Sequence, residues 1–200
     1  MEEHSKNNKK KKKIIKKYNL TSYFYDKRYS SIQTEKYKVV LSNYRPKGRL
    51  ILDLGCGTGL FFEYIKNYLL FNEEIKLNYV GVDISWNMLL KFKSKVNNTD
   101  LCNHTLNIIL SDIENLPFRD DVFMAIFALT SFQNLPDTKI GIKESFRVSK
   151  NNAEFKFSIL KKNLDLESLL KKYKSKIRNL SIININTIED IVIQGEILKT

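Results

Sequence analysis

The stretch Asp53-Leu54-Gly55-Cys56-Gly57-Thr58-Gly59 places a carboxylate and three alternating glycines where an apolar run, Ile51-Leu52, gives way to helical spacing. Glycines at such a junction let the backbone approach a ligand closely, and free N–H groups at a helix start favour negative charge. The pattern is not a phosphate-gripping loop, because no Lys-Ser or Lys-Thr follows Gly59. Nor is it a dinucleotide fingerprint, because Leu60 stands where the third glycine of G-x-G-x-x-G belongs. Asp53 is badly placed for a pyrophosphate and well placed for an ammonium group. A second carboxylate, Asp83, ends the run Tyr79-Val80-Gly81-Val82. There it can accept both hydroxyls of a ribose. A third, Asp112, follows the apolar run 106–110 and can accept the amino group of an adenine. Three carboxylates at three consecutive strand ends suit one ligand, an adenosine joined to a cationic amino acid.

The elements that must hold these groups alternate. Short strands are expected at 50–52, 79–82, 106–110, 122–129 and 155–160, with two more near 181–185 and 191–197. Between them run helical faces: Leu60, Phe61, Tyr64, Ile65, Tyr68 and Leu69; then Met88, Phe92 and Val96 after an N-capping Ser85; then Ile142 and Phe146 after Pro136-Asp137. Tyr37, Val40, Leu41 and Tyr44 predict a helix over 32–44 that Pro46-Lys47-Gly48 ends. Leu166, Leu169, Leu170, Tyr173 and Ile177 predict another near the C-terminus. Such alternation implies an α/β fold: a Rossmann-like, doubly wound, mostly parallel seven-stranded sheet in three α/β/α layers. At 200 residues the chain is expected to hold a disordered Lys-rich tail, 1–18, and a single domain, 19–200.

Composition narrows the function classes. With 42% apolar and 28% charged residues, the chain can bury a core. Its longest apolar run, Val122–Leu129, falls far short of the roughly 20 residues a membrane-spanning helix needs. No apolar signal region follows the N-terminal lysines. Cys56 and Cys102 cannot build a disulfide framework and fit a reducing, cytoplasmic setting. With His4 and His104 they make a zinc site improbable, so no metal is expected. The net charge of +12 is concentrated: residues 1–20 carry eight Lys against Glu2 and Glu3, and residues 161–178 carry seven basic groups against Asp165 and Glu167. Both segments are candidates for contact with a polyanion such as RNA or anionic lipid. Basic residues are 28 Lys to 6 Arg, however, and Asn and Ile are also abundant, a bias that AT-rich codons alone can write.

The motifs together resemble the class I S-adenosylmethionine-dependent methyltransferases, the broad group that includes ubiquinone and menaquinone C-methyltransferases. The matching stretches are ILDLGCGTGLF (51–61), VGVDISWNML (80–89), LSDIENLPF (110–118) and FALTSFQNLPD (127–137). The resemblance covers roughly 35–160 and implies S-adenosylmethionine as cofactor. It implies that Asp53, Gly55, Cys56, Gly57 and Gly59 line the methionine end, that Asp83 holds the ribose and Ile84 packs on the adenine, and that Asp112 and Ile113 hold the adenine edge. Leu129, Thr130 and Phe132 then lie near the transferred methyl. Tyr29, Phe132 and Gln133 are the candidate catalytic residues. Tyr25, Tyr29 and Gln33 are candidates for a lid, and Gln133 and Asn134 either orient an acceptor or cap the next helix. Trp86 either flanks the adenine or covers a helix start.

Two positions depart from the family. Met124 follows Phe123 where an Asp is common, and Asn151-Asn152 replaces a Gly-Gly turn. Asn tolerates the left-handed conformation such a turn requires. The acceptor is a small molecule or an RNA. No [ND]-P-P-[YF] follows the fourth strand and no Cys lies in 128–136, which argues against amino-group methylation of adenine or glutamine and against covalent pyrimidine methylation. The alternative is an inactive, S-adenosylmethionine-binding subunit of an RNA-modifying complex.

Overall fold

The computed structural model describes residues 2–42, 44, 50–69, 76–97, 104–163, 171–184, 186 and 188–199. The chain runs α1 (Glu2–Leu41), β1 (Leu50–Leu54), α2 (Leu60–Leu69), β2 (Asn78–Asp83), α3 (Trp86–Val96), β3 (Thr105–Leu110), β4 (Phe123–Leu129), α4 (Thr138–Val148), β5 (Ser149–Leu160), β6 (Ile177–Asn184) and β7 (Asp190–Ile197). The seven strands form one sheet in the order β3-β2-β1-β4-β5-β7-β6. β1 to β5 pair in parallel, and β7 is antiparallel to both β5 and β6. This is the expected doubly wound sheet. Two cores lie on its two faces: one packs Phe132, Ile142, Phe155 and Tyr173, the other packs Val40, Phe62, Phe92 and Tyr79.

Local chemistry explains the helix starts. Ser85 is extended and its hydroxyl accepts from the Met88 N–H, so α3 begins where a capping residue was expected. Asp137 caps α4 in the same way, accepting from the Lys139 N–H. Asn152 adopts φ +61°, so the Asn-Asn turn survives the loss of its glycines. Met124 lies exposed on β4, away from the carboxylates.

The largest difference from expectation is at the N-terminus. In place of a disordered arm and a helix over 32–44, α1 is continuous from Glu2 to Leu41. A second side to the Lys run accounts for it. Lys11, Ile14, Ile15, Tyr18, Ser22, Tyr25 and Tyr29 recur at mostly three- and four-residue spacings, so they form one inward stripe while Lys9, Lys12, Lys13 and Lys16 point to water. The second difference is at Ile177. It opens β6 opposite Ile197 rather than continuing a helix, because the Ile-rich segment 177–184 pairs better as a strand than it packs as a helix. Of the helix expected near the C-terminus, residues 164–170 lie outside the described residues, as do Pro46–Gly48 and Cys102. Lys161–Asn163 and Lys174–Lys176 are short 3-10 turns.

Candidate functional site

The glycine loop turns sharply because three of its residues take positive φ: Gly55 +81°, Gly57 +55° and Gly59 +82°. The N–H groups of Gly55 and Cys56 both donate to the Val82 carbonyl, at 2.7 and 3.0 Å, which locks the loop across the end of β2. Gly55 and Gly59 are needed for different reasons. A Cβ on Gly55 would sit 2.6 Å from the Ser131 Cβ, so this glycine lets the loop meet the end of β4. A Cβ on Gly59 would overlap the Phe92 ring. Gly59 therefore seats α2 against α3 and does not line a cavity. We expect Gly59→Ala to destabilise the protein by at least ~2 kcal/mol, since left-handed strain adds to the steric overlap. Urea unfolding checks this, and an unchanged midpoint would refute it.

Two cavities meet at this loop. The larger, about 700 Å³ with its mouth, is walled by Gly55, Gly57, Asp83, Ile84, Asp112 and Ile113, by Leu129 to Ser131, and by Ile14, Tyr18 and Tyr25 of α1. The smaller, about 320 Å³, holds Asp53, Cys56, Gln33 and Tyr37. Gly55, Gly57, Tyr25 and Leu129 wall both, so together they form one bent cleft. Of the ten expected cofactor residues, only Gly59 lies outside it.

The carboxylates differ in state. Asp53 is buried and accepts from the Tyr79 hydroxyl, and burial pushes its pKa up to about 7. Asp83 accepts from the Gly57 N–H (2.9 Å) and the Ser85 N–H (2.8 Å), and burial pushes its pKa up to about 6. Both are therefore poised to gain from a cationic or hydroxyl-bearing ligand. Asp112 is different again. One oxygen accepts from the Glu114 N–H and the other pairs with Lys11 of α1 at 2.5 Å. Burial pushes the Cys56 thiol well above its usual range, so it is an inert filler. Burial also raises the Tyr18 and Tyr25 hydroxyls, leaving them protonated donors.

The three expected catalytic residues are not brought together at the cleft. Phe132 is fully buried between Phe155 and Phe157 in the core, because the 3-10 turn Phe132–Asn134 swings its ring under the sheet end. Gln133 accepts from the Leu160 N–H at 2.9 Å and so ties down the end of β5. Tyr29 packs at a tilt against Tyr25 with ring centroids 4.8 Å apart, one turn beyond the cavity wall. Trp86 is exposed and lines neither cavity. Asn134 does line the cleft, donating to the Tyr18 hydroxyl and to the Thr130 carbonyl.

Residues that local reading passed over come mainly from α1. Lys11 also pairs with Glu114, Lys10 donates to the Leu135 carbonyl, and Asn19 accepts from Ser85 and Asn87. Asp26 accepts from Thr58 and pairs with Lys95. The helix is thus strapped to both rims of the cleft. Thr130, expected near the transferred methyl, also has an uncommon backbone conformation. It holds φ +59°, unusual for a β-branched residue, and its hydroxyl sits between Lys36, Asp190 and Ser158.

Ser131 Oγ and Gln33 Oε1 are buried on the cavity walls with no partner among the described residues. Together with the buried Asp53 carboxylate they are the groups an adenosine bearing a cationic amino acid would satisfy. The residues present fit S-adenosylmethionine.

Comparison with known proteins agrees with this chemistry. Residues 52–157 match the methyltransferase domain family. The chain is 30% identical over 151 residues to a demethylmenaquinone methyltransferase of Staphylococcus carnosus, covering 73% of this chain and 59% of that protein. It is 32% identical over 111 residues to a malonyl-[acyl-carrier protein] O-methyltransferase of Hamiltonella defensa, covering 55% and 37%. The chain thus spans less than two thirds of the length of these curated relatives. Among solved structures, an S-adenosylmethionine-dependent methyltransferase of Aquifex aeolicus superposes with TM-score 0.64 at 19% identity, covering 86% of this chain and 93% of that one. A putative methyltransferase of Methanococcus maripaludis gives 0.70 at 14% identity, covering 92% and 94%. These two likenesses establish the fold.

Proposed function

We propose that this chain, which belongs to the methyltransferase domain family, is an S-adenosylmethionine-dependent methyltransferase acting on a small-molecule acceptor. The observation that carries the reading is the bent cleft, with one buried carboxylate in its smaller arm and two carboxylates along its larger one. Asp53 would take the ammonium of the methionine end, which restores the charge compensation its buried site lacks. Asp83 would take the ribose hydroxyls, with both carboxylate oxygens already oriented by backbone N–H groups. Ile84 and Ile113 would wall the adenine. Asp112 would receive its amino group once Lys11 yields, since the two donors compete for one carboxylate.

The bound sulfonium supplies an already activated methyl group. The chain's own contribution is therefore position and exclusion of water. Ile14, Leu135 and Pro136 close the cleft with apolar surface beside Leu129 and Thr130. Apolar walls solvate a cation poorly, which favours a transition state in which positive charge is dispersing. Holding donor and acceptor in line can supply roughly 7–11 kcal/mol of the barrier. The protonated Tyr18 and Tyr25 can orient an acceptor oxygen by donating to it.

A small acceptor is supported by the covering helix. α1 lies along the cleft, with Lys11, Ile14, Tyr18 and Tyr25 on its wall, a narrowing that suits a small acceptor better than a folded RNA. The relatives' names, a demethylmenaquinone methyltransferase and a malonyl-[acyl-carrier protein] O-methyltransferase, favour a quinone or a carried acyl group over RNA. The test follows label from methyl-labelled S-adenosylmethionine into a deproteinised, fractionated extract. Label is expected in the small-molecule or organic-soluble fraction. Label in RNA would overturn the acceptor class. Binding of S-adenosylhomocysteine with no labelled fraction would instead favour an inactive binding subunit.

A further inference from the structure

The inward stripe of α1 closes the cleft, and its outward stripe has no partner among the described residues. That outward stripe reads Lys9, Lys12, Lys13 and Lys16, then Leu20 and Phe24, all at spacings of three or four and hence on one face. Leu20 is 71% exposed, Phe24 63% and the neighbouring Tyr23 73%. No acidic residue occurs between His4 and Tyr25. Beside this stripe α3 adds exposed Trp86 and Leu90, on the helix whose Asn87 bonds to Asn19 and whose Lys91 lies over the Tyr23 ring. A cationic run thus passes directly into an apolar wedge, on the solvent side of the element that covers the cofactor cleft.

We propose that this outer face of α1 is a docking surface for an anionic lipid bilayer. A basic helix with bulky apolar side chains on the same exposed side lies in the headgroup plane, where lysines meet anionic headgroups and the apolar groups enter the acyl boundary. The composition favours lipid over nucleic acid. The stripe carries no Arg, whose planar fork suits individual phosphates, and Leu20 has no ring with which to stack on a base. Lysines suit a diffuse sheet of negative charge, and Leu20 with Phe24, one turn apart, supplies an anchor that charge alone does not require. This surface is separate from the methyl-transfer site, and its test does not depend on which acceptor is used.

The chain contains a single tryptophan, Trp86, which reports on the surface directly. The 200-residue chain is sedimented with vesicles of phosphatidylcholine alone, or with about a third phosphatidylserine, at near-physiological salt. It is expected to bind the phosphatidylserine vesicles and not the neutral ones, with Trp86 emission shifting to the blue. Lys9→Gln/Lys12→Gln/Lys13→Gln/Lys16→Gln should weaken binding on the order of 100-fold. Leu20→Ser/Phe24→Ser should abolish the blue shift and the binding that survives raised salt. All six positions face solvent, so each variant should keep the thermal shift that S-adenosylhomocysteine gives the parent. Failure to bind anionic vesicles would overturn the proposal. So would vesicle binding unaffected by the apolar pair, or capture of single-stranded RNA that depends on the lysines while vesicles leave Trp86 unshifted.

Discussion

Asp53→Asn is expected to weaken S-adenosylhomocysteine binding by about 10–100-fold while making the free protein more stable at pH 8. The two effects have one cause. Asp53 is buried with Tyr79 as its hydrogen-bond partner, and its pKa stands near 7. In the unfolded chain it would ionise near pH 4. The folded state therefore binds more protons between those values, and stability falls as pH rises from about 4 to about 7. Above pH 7 the full cost of a buried, uncompensated carboxylate is present. Asn keeps the shape and a partner for Tyr79 but removes that cost, so its stabilising effect should be large at pH 8 and small at pH 5. A ligand ammonium recovers the same cost by pairing with the charge, and a charge-assisted hydrogen bond contributes roughly 1.5–3 kcal/mol. Affinity of the parent should accordingly rise as pH passes through 6 to 7, with proton release on binding below that range. Calorimetric titration and thermal unfolding of both proteins at the two pH values test this. Equal affinity in the variant, or a loss of stability at pH 8, would remove Asp53 from the ammonium site.

Lys36→Met is expected to cost about 3–5 kcal/mol, the largest loss of stability we anticipate from one substitution. Lys36 pairs with Asp190 at 2.6 Å where both side chains are buried, and it also donates to the Thr130 hydroxyl. Burial pulls the Lys36 ammonium below its ordinary range and Asp190 opposes that shift, so each charge is tolerated only because of the other. Removing one strands its partner. Lys36→Met/Asp190→Leu, which removes both, should recover most of the loss, and the cycle measured by urea unfolding gives the coupling. If the double variant is as unstable as the single, the pair is not the source. Methyl transfer should not return with stability in the double variant. Its Thr130 would keep Ser158 but lose the two charged groups that grip its hydroxyl while the residue holds φ +59° at the wall of the cleft.

The parts of this site that could be read from the sequence are those whose chemistry is local. Asp53, the glycines and Asp83 lie at strand ends, and a strand followed by glycine and then by helical spacing leaves few other folds open. The capping residue Ser85 was legible for the same reason, whereas the next helix is capped by Asp137 and not by Gln133 or Asn134. Phe132 and Gln133 were not. They follow β4 directly, but a 3-10 turn decides which way each points, and its direction depends on Phe155, Phe157 and Leu160 from a strand still to come. The role of α1 was hidden more completely. Its lysines mask a stripe whose partners, Asp112, Glu114, Asn134 and Ser85, lie far along the chain. Ile177 was misplaced because a short Leu- and Ile-rich segment satisfies helical spacing and strand pairing equally until Ile197 is seen opposite it.

The pairing of Lys36 with Asp190 also fixes an order of events during synthesis. Within this chain α1, which carries Lys36, is synthesised before β7, which begins with Asp190. Until that strand arrives, docking α1 in its final place would bury an ammonium with no counter-charge. α1 can therefore settle only once β7 is in place, and a nascent chain, or one truncated before Asp190, should display its lysine- and aromatic-rich helix as an undocked, protease-sensitive arm.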